Sequence, residues 1–72
     1  MKWFHAIGIC GKATSNIALM FKRAGWFVTG SDLQFFPPAS DFLSNNNIPV
    51  VEGYNYAHLN KDFWQTNAII NQ

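Results

Sequence analysis

The residues best placed to do chemistry lie in the stretch AIGICGKATSNIA, residues 6–18. Gly8 and Gly11, followed by the small Ala13, have the spacing of a turn whose backbone approaches an anion, because glycine removes the side chain that would stand between main chain and ligand. In such a turn the amides around Gly8, Ile9, Cys10, Gly11, Lys12 and Ala13 would face a pyrophosphate, aided by the positive end of the following helix. Cys10 occupies the place where a dinucleotide-binding loop usually has its middle glycine, so the ordinary dinucleotide pose is crowded and a different approach is favoured. Lys12 adds a point charge, and the hydroxyls of Thr14 and Ser15 are candidate donors to phosphate oxygens. A ligand-free strand-to-helix turn explains the two glycines equally well, since short glycine patterns recur by chance. Asp32 favours the nucleotide reading. It follows Gly8 by 24 residues, where an acidic side chain commonly accepts hydrogen bonds from a ribose or base, beside Ser31. Its alternative role is that of a turn or capping aspartate.

Other chemistries find little support. Gly11-Lys12 is followed by Ala13 rather than Ser or Thr, and Gly8 stands too close for a triphosphate-binding loop. Two histidines, one cysteine and four carboxylates are scattered without metal-ligand spacing. Cys10 has no histidine near it in sequence and reads as a small loop residue rather than a nucleophile. His5 reads as a packed strand residue, His58 as a surface or turn residue.

The elements that must position these residues follow from periodicity. Residues 2–9, KWFHAIGI, are almost continuously apolar, as in a strand covered on both faces. From Ala13 to Ala24 the residues Ile17, Met20, Phe21 and Ala24 recur at helical spacing, with Lys22-Arg23 in the last turn and Gly25 as a left-handed stop. WFVTG, residues 26–30, is a second strand, and the polar loop SDLQFFPPAS leads through Pro37-Pro38 to a short helix with Phe42 and Leu43 on its apolar face. Asn45, Asn46 and Asn47 end that helix, IPVVE at 48–52 forms a third strand, and Gly53 closes it. A turn or short helix over 54–59 and a fourth strand over 63–70, FWQTNAII, complete the chain. This alternation predicts a Rossmann-like α/β fold, three layers in the order βαβαβ(αβ), with a parallel sheet whose first strand is central. Its ligand crevice lies beyond the carboxyl ends of the strands, where the loop 8–13, Ser31-Asp32 and Asn67-Ala68 would meet.

The totals bound the possibilities. With 72 residues there is room for one domain, and the marginal burial of so small a unit suggests a piece of something larger. The chain is 49% hydrophobic and 17% aromatic with 12% charged residues, which excludes a disordered tail. Trp3, Phe4, Trp26, Phe27, Phe35, Phe36, Phe42, Phe63 and Trp64 exceed what one small core can hide, so self-association or docking through exposed rings is expected. A net charge of +1 with no basic run longer than two residues argues against a nucleic-acid or membrane-surface partner. No stretch is long and apolar enough to span a bilayer, His5, Gly8 and Lys12 interrupt any signal-like run, and the single cysteine suits a reducing compartment, so a cytoplasmic location is expected.

From His5 to Tyr54 the chain resembles the amino-terminal, UDP-binding domain of the Mur ligases. The resemblance rests on the GICG turn, GSD at the end of the second strand, PP before the second helix and the Gly53-Tyr54 pair after the third strand. It is greatest toward the murein-peptide branch of the family, with the alanine-adding branch next. It implies that the chain holds the UDP part of UDP-N-acetylmuramate or another UDP-muramoyl substrate. Gly8, Ile9, Cys10, Gly11, Lys12 and Ala13 would take the pyrophosphate, and Ser31 and Asp32 the uridine. Two positions depart from the family pattern: Thr14 stands where methionine is usual, and Asn16 where a small residue is usual. The family's ATPase domain, with its ATP and magnesium, and its carboxy-terminal domain would lie outside residues 1–72, leaving this part without catalysis of its own. Two readings compete: an NAD-binding domain of an oxidoreductase, and a non-catalytic interaction module.

Overall fold

A computed structural model describes residues 2–66 of the chain. Three strands, β1 (Trp3–Ile7), β2 (Phe27–Asp32) and β3 (Val50–Glu52), alternate with helices α1 (Lys12–Arg23) and α2 (Ala39–Asn45). A 3₁₀ turn at Tyr56–Leu59 and the helix α3 (Lys61–Thr66) follow. The sheet is parallel, in the order β1-β2-β3, with Trp3 opposite Phe27, Ile7 opposite Ser31 and Asp32 opposite Glu52. The Rossmann-like α/β expectation therefore holds, with one change of place: among the described residues β2, not β1, is the middle strand.

Both helix ends are closed by the same device. At α1 the amides of Gly25 and Trp26 donate to the carbonyls of Lys22 and Phe21, and Gly25 takes φ +94°. At α2 the amides of Asn47 and Ile48 donate to Ser44 and Leu43, with Asn47 at φ 55°. Asparagine is one of the few residues with a side chain that tolerates this left-handed position, so the Asn45–Asn47 run does end the helix as read from the sequence.

The face of α1 that meets the sheet differs from expectation. Ile17 and Met20 are exposed, whereas Ser15 and Ala18 are buried and Phe21 is half-buried. The small pair wins because it lets the helix axis come close to the strands, while Phe21 is long enough to reach inward and stack on Phe4 at 4.2 Å between ring centres. The core on this side gathers Ala6, Val28 and Val50 from the strands, Ala18 and Leu43 from the two helices, and Ile9 and Ile48 from the loops.

The other face of the sheet is polar and is covered by the 3₁₀ turn and α3. Trp64, buried, packs its ring 5.4 Å from His5 and donates its indole N–H to the carbonyl of His58 at 2.8 Å. This overturns the fourth strand over its first part, since residues 63–66 belong to α3. Asn60 explains the change: its side chain accepts the Asp62 amide and its carbonyl the Phe63 amide, which starts a helical turn despite the β-favouring aromatics that follow. Residues 67–70 of the expected strand, and with them Asn67-Ala68, lie outside the described residues.

The supply of rings is better hidden than composition suggests. Of the nine aromatics singled out above only Phe36 is exposed, joined at the surface by Tyr54 and Tyr56 and by the aliphatics Ile7, Ile17, Met20, Leu33 and Leu59.

Candidate functional site

The carboxyl ends of β1 and β2 are tied together by the loop between β1 and α1. Gly8, at φ +77°, turns the chain sharply out of the strand, a conformation costly for residues with a Cβ. The amides of Gly8 and Ile9 both donate to the Ser31 carbonyl, at 2.8 and 3.1 Å, the Cys10 amide donates to Asp32 Oδ2 at 2.9 Å, and the Gly11 amide returns to the Gly8 carbonyl at 3.1 Å. Four of the amides expected to face a pyrophosphate are thus already satisfied inside the protein. The reason is the tightness of the turn, which brings each of them onto an acceptor at the end of β2 or within the loop.

The amides that follow are different. Gly11 caps α1 without a side-chain acceptor, and among the described residues the N–H groups of Lys12, Ala13 and Thr14 have no hydrogen-bond partner; the ladder begins only with Ser15 N–H to Gly11 O at 2.8 Å. Three unpaired donors at the positive end of a twelve-residue helix are chemically suited to an anion. No acidic residue stands in the first turn of α1 to compete with a bound anion. Lys12 is exposed at this end, and Thr14 is half-buried beside Gly11. Ser15 is not available as expected, since its hydroxyl donates to the Lys12 carbonyl at 3.0 Å and is buried.

Two glycines serve distinct purposes here. Gly11 has φ −60°, which any residue adopts, and a Cβ placed on it would lie 3.4 Å from Gly8 O and 3.5 Å from Thr14 Oγ1, so the protein itself barely requires glycine there. Gly30 is the opposite case. A Cβ on it would fall 2.8 Å from Ile9 Cβ and 2.9 Å from Cγ2, because the fully buried Ile9 side chain fills the space that Gly30 leaves open. This contact presses the loop onto the sheet. A lone glycine inside a strand signals such a close approach, and that signal was present in VTG.

Asp32 is the last residue of β2. Oδ2 accepts from Cys10, Oδ1 from the Leu33 amide at 2.7 Å, and its carbonyl accepts the Gly53 amide at 2.8 Å. The Cys10 thiol, pushed up to about 11 by burial and then by the Asp32 carboxylate, stays protonated and lies 3.5 Å from the Gln34 carbonyl. It is a poor nucleophile, in keeping with its reading as a small loop residue.

On the polar face of the sheet a cavity of about 430 Å³ opens between Ile7, Ser31 and the segment carrying Tyr54, Tyr56 and His58. Ser31 is fully buried, its hydroxyl 3.1 Å from His5 Nε2, while His5 Nδ1 lies 2.7 Å from Thr29 Oγ1, which also accepts the Trp3 indole N–H at 2.9 Å. Burial, followed by the proximity of His58, lowers His5 to about 4, so the ring is neutral at pH 7. His58 was read from the sequence as a surface or turn residue, yet it is buried and its Nδ1 has no hydrogen-bond partner. Its apolar neighbours Ala57 and Leu59 are exposed, so the flanking sequence gives no signal of this burial.

The carboxyl edge of the parallel sheet thus carries two features, the unpaired amides that start α1 and a partly apolar cavity lined by Ile7 and Ser31. Among the described residues no group of three or more His, Cys, Asp or Glu side chains is arranged to hold a metal ion, and no helix is long and apolar enough to cross a membrane.

Comparison with known proteins bears on the same segment. Residues 4–72 match the family described as "Mur ligase family, catalytic domain". The chain is 41% identical over 59 residues to the UDP-N-acetylmuramate–L-alanyl-γ-D-glutamyl-meso-2,6-diaminoheptandioate ligase of Haemophilus influenzae, covering 82% of this chain and 13% of that protein. It is 36% identical over 55 residues to the ligase of the same name from Escherichia coli, covering 76% of this chain and 12% of that protein. With the UDP-N-acetylmuramate–L-alanine ligase of Syntrophomonas wolfei it shares 34% identity over 58 residues, 81% of this chain and 12% of that protein. No solved structure matches significantly. The chain therefore spans about one-eighth of the length of the curated relatives it matches. A family match across nearly all of its residues, and relatives above 30% identity over most of them, show that the chain belongs to the Mur ligase family.

Proposed function

We propose that this chain holds the UDP part of a UDP-muramoyl substrate, such as UDP-N-acetylmuramate, for an ATP-dependent ligase of peptidoglycan synthesis or recycling. The observation that carries the reading is the row of unpaired amides at Lys12, Ala13 and Thr14, after the strand β1 whose last residue, Ile7, lines the cavity together with Ser31. The diphosphate accepts from these three N–H groups and from Lys12 Nζ, while Gly8, Ile9, Cys10 and Gly11 shape the turn that aims them. Gly11 lets the phosphate approach the main chain. The uridine lies toward Ser31 and Asp32, with its base in the cavity. Support for a muramoyl-nucleotide ligand comes from the relatives, whose names specify UDP-N-acetylmuramate.

The residues present do not fit ATP and magnesium. The loop lacks the glycine spacing and the hydroxyl residue after lysine that a triphosphate cradle requires, and the described acidic residues form no cation site. The task of this chain is binding and orientation; ATP-dependent chemistry falls to other parts of the parent ligase, and the chain alone is inactive.

Calorimetric titration of the 72-residue chain with UDP, UMP and NAD tests the reading. UDP binds, UMP binds more weakly because it lacks the second phosphate, and NAD does not bind. Tighter binding of NAD would make the chain a dinucleotide-binding domain, and absence of binding by all three would favour the interaction module.

A further inference from the structure

We propose that Asp32 is a positioning residue, which fixes the β1–α1 loop and so aims the amides of Lys12, Ala13 and Thr14, rather than a group that grips the nucleoside. This rests on the diphosphate site proposed above and changes the part that Asp32 plays in it. Both carboxylate oxygens are taken up by main-chain donors, Oδ2 by Cys10 at 2.9 Å and Oδ1 by Leu33 at 2.7 Å. The Cys10 bond reaches across from β2 to the middle of the loop, two residues before the first free amide. Its neighbours act in the same sense. The Ser31 carbonyl holds Gly8 and Ile9, the Asp32 carbonyl holds Gly53, and Ile9 is seated against Gly30. The end of β2 is thus a post to which the loops after β1 and β3 are both tied.

Electrostatics points the same way. A carboxylate next to a diphosphate repels it, so an aspartate this close to the anion hole is a cost unless its charge is spent on donors of the protein. Here two charge-assisted bonds to backbone amides turn it away from the ligand. Tyr54, from the loop after β3, lies beside the carboxylate, and its phenol is raised by partial desolvation and then by Asp32, which places a third element against the same group.

Asp32→Ala and Asp32→Asn, each checked for its fold by circular dichroism, separate the two roles. Affinities are measured for UDP and for inorganic pyrophosphate, which has no nucleoside. If Asp32 acts through the loop, Asp32→Ala weakens both ligands by the same factor, roughly tenfold for one lost charge-assisted bond. Asp32→Asn, which keeps an acceptor, restores part of both. Loss of UDP affinity with pyrophosphate unchanged would overturn the proposal. Hydrogen exchange of the Cys10 amide without ligand gives a second readout: roughly tenfold or faster exchange in Asp32→Ala, with partial protection in Asp32→Asn, is expected, and unchanged exchange in both would overturn it. Should the wild-type chain bind neither ligand, the UDP reading fails, and the exchange measurement still decides whether Asp32 holds the loop.

Discussion

Single residues separate what the ligand requires from what the fold requires. Gly11→Ala meets ordinary contacts in the protein, at 3.4 and 3.5 Å, and has an unremarkable φ, so the melting temperature should stay within a few degrees of wild type. UDP affinity should nevertheless fall about tenfold or more, because the added methyl stands where the phosphate approaches. Equal affinity in wild type and variant, measured by calorimetry, would show that the ligand does not pass over Gly11. Gly30→Ala behaves in the reverse way. It forces Ile9 out of its seat and should cost about 1–3 kcal/mol in urea denaturation. Adding Ile9→Ala should be less than additive, since the two changes share one space. The glycines of the turn between β1 and α1 were legible from their spacing, and so was the place of Asp32 at the end of β2. Which amides remain free was not, because that depends on how the turn folds back onto Ser31 and Asp32. The tight seat of Gly30 and the burial of His58 were not legible because they are set by Ile9, 21 residues earlier, in one case and by the rings of Phe63 and Trp64 in the other.

At the scale of elements, periodicity located both main helices and all three strands, while the caps set their ends. Asn47, at φ 55°, closes α2, and Asn47→Ala should cost about 1 kcal/mol through left-handed strain, with Asn47→Gly near neutral or slightly stabilising. Thermal unfolding of the two variants checks the order. Where the sequence misled, tertiary contact outweighed local preference: Phe63 and Trp64 favour strands in isolation, yet Asn60 starts a helix there and Trp64 is buried over β1. The polar face beneath Trp64 has a pH signature. His5 titrates at about 4 in the folded protein and near 6.5 when unfolded. Between these values the unfolded chain binds the proton more readily, so stability is full above pH 6.5 and declines as pH falls toward 4. Because His5 is half-buried, solvent screening reduces the effect to about 1–2 kcal/mol. Urea midpoints at pH 7 and pH 4.5 should differ accordingly, and His5→Gln should flatten that part of the difference; an unchanged slope in the variant would assign the acid sensitivity elsewhere.

The whole molecule is small but condensed. Its radius of gyration, 10.8 Å, matches the roughly 11 Å expected of a folded chain of this length. Most aromatic rings turn inward, which leaves a surface less adhesive than composition suggested, although Ile17, Met20, Leu33, Phe36 and Tyr56 remain open. Sedimentation across a concentration series should show weak self-association through these side chains; a monomer at all concentrations would mean that the exposed apolar area is too dispersed. Family and fold were readable from GICG, GSD and PP in register, because the first two sit at the ends of β1 and β2 and the third at the start of α2, where the chain must turn and pack. The central claim is that three helix-initial amides receive a diphosphate. It is tested most directly by amide chemical shifts of the ¹⁵N-labelled chain during titration with UDP. The largest, saturable shifts should fall on Lys12, Ala13 and Thr14, with smaller ones at Ser31 and Asp32 and none with NAD. Saturable shifts confined to other residues, with these three amides unmoved, would contradict the account.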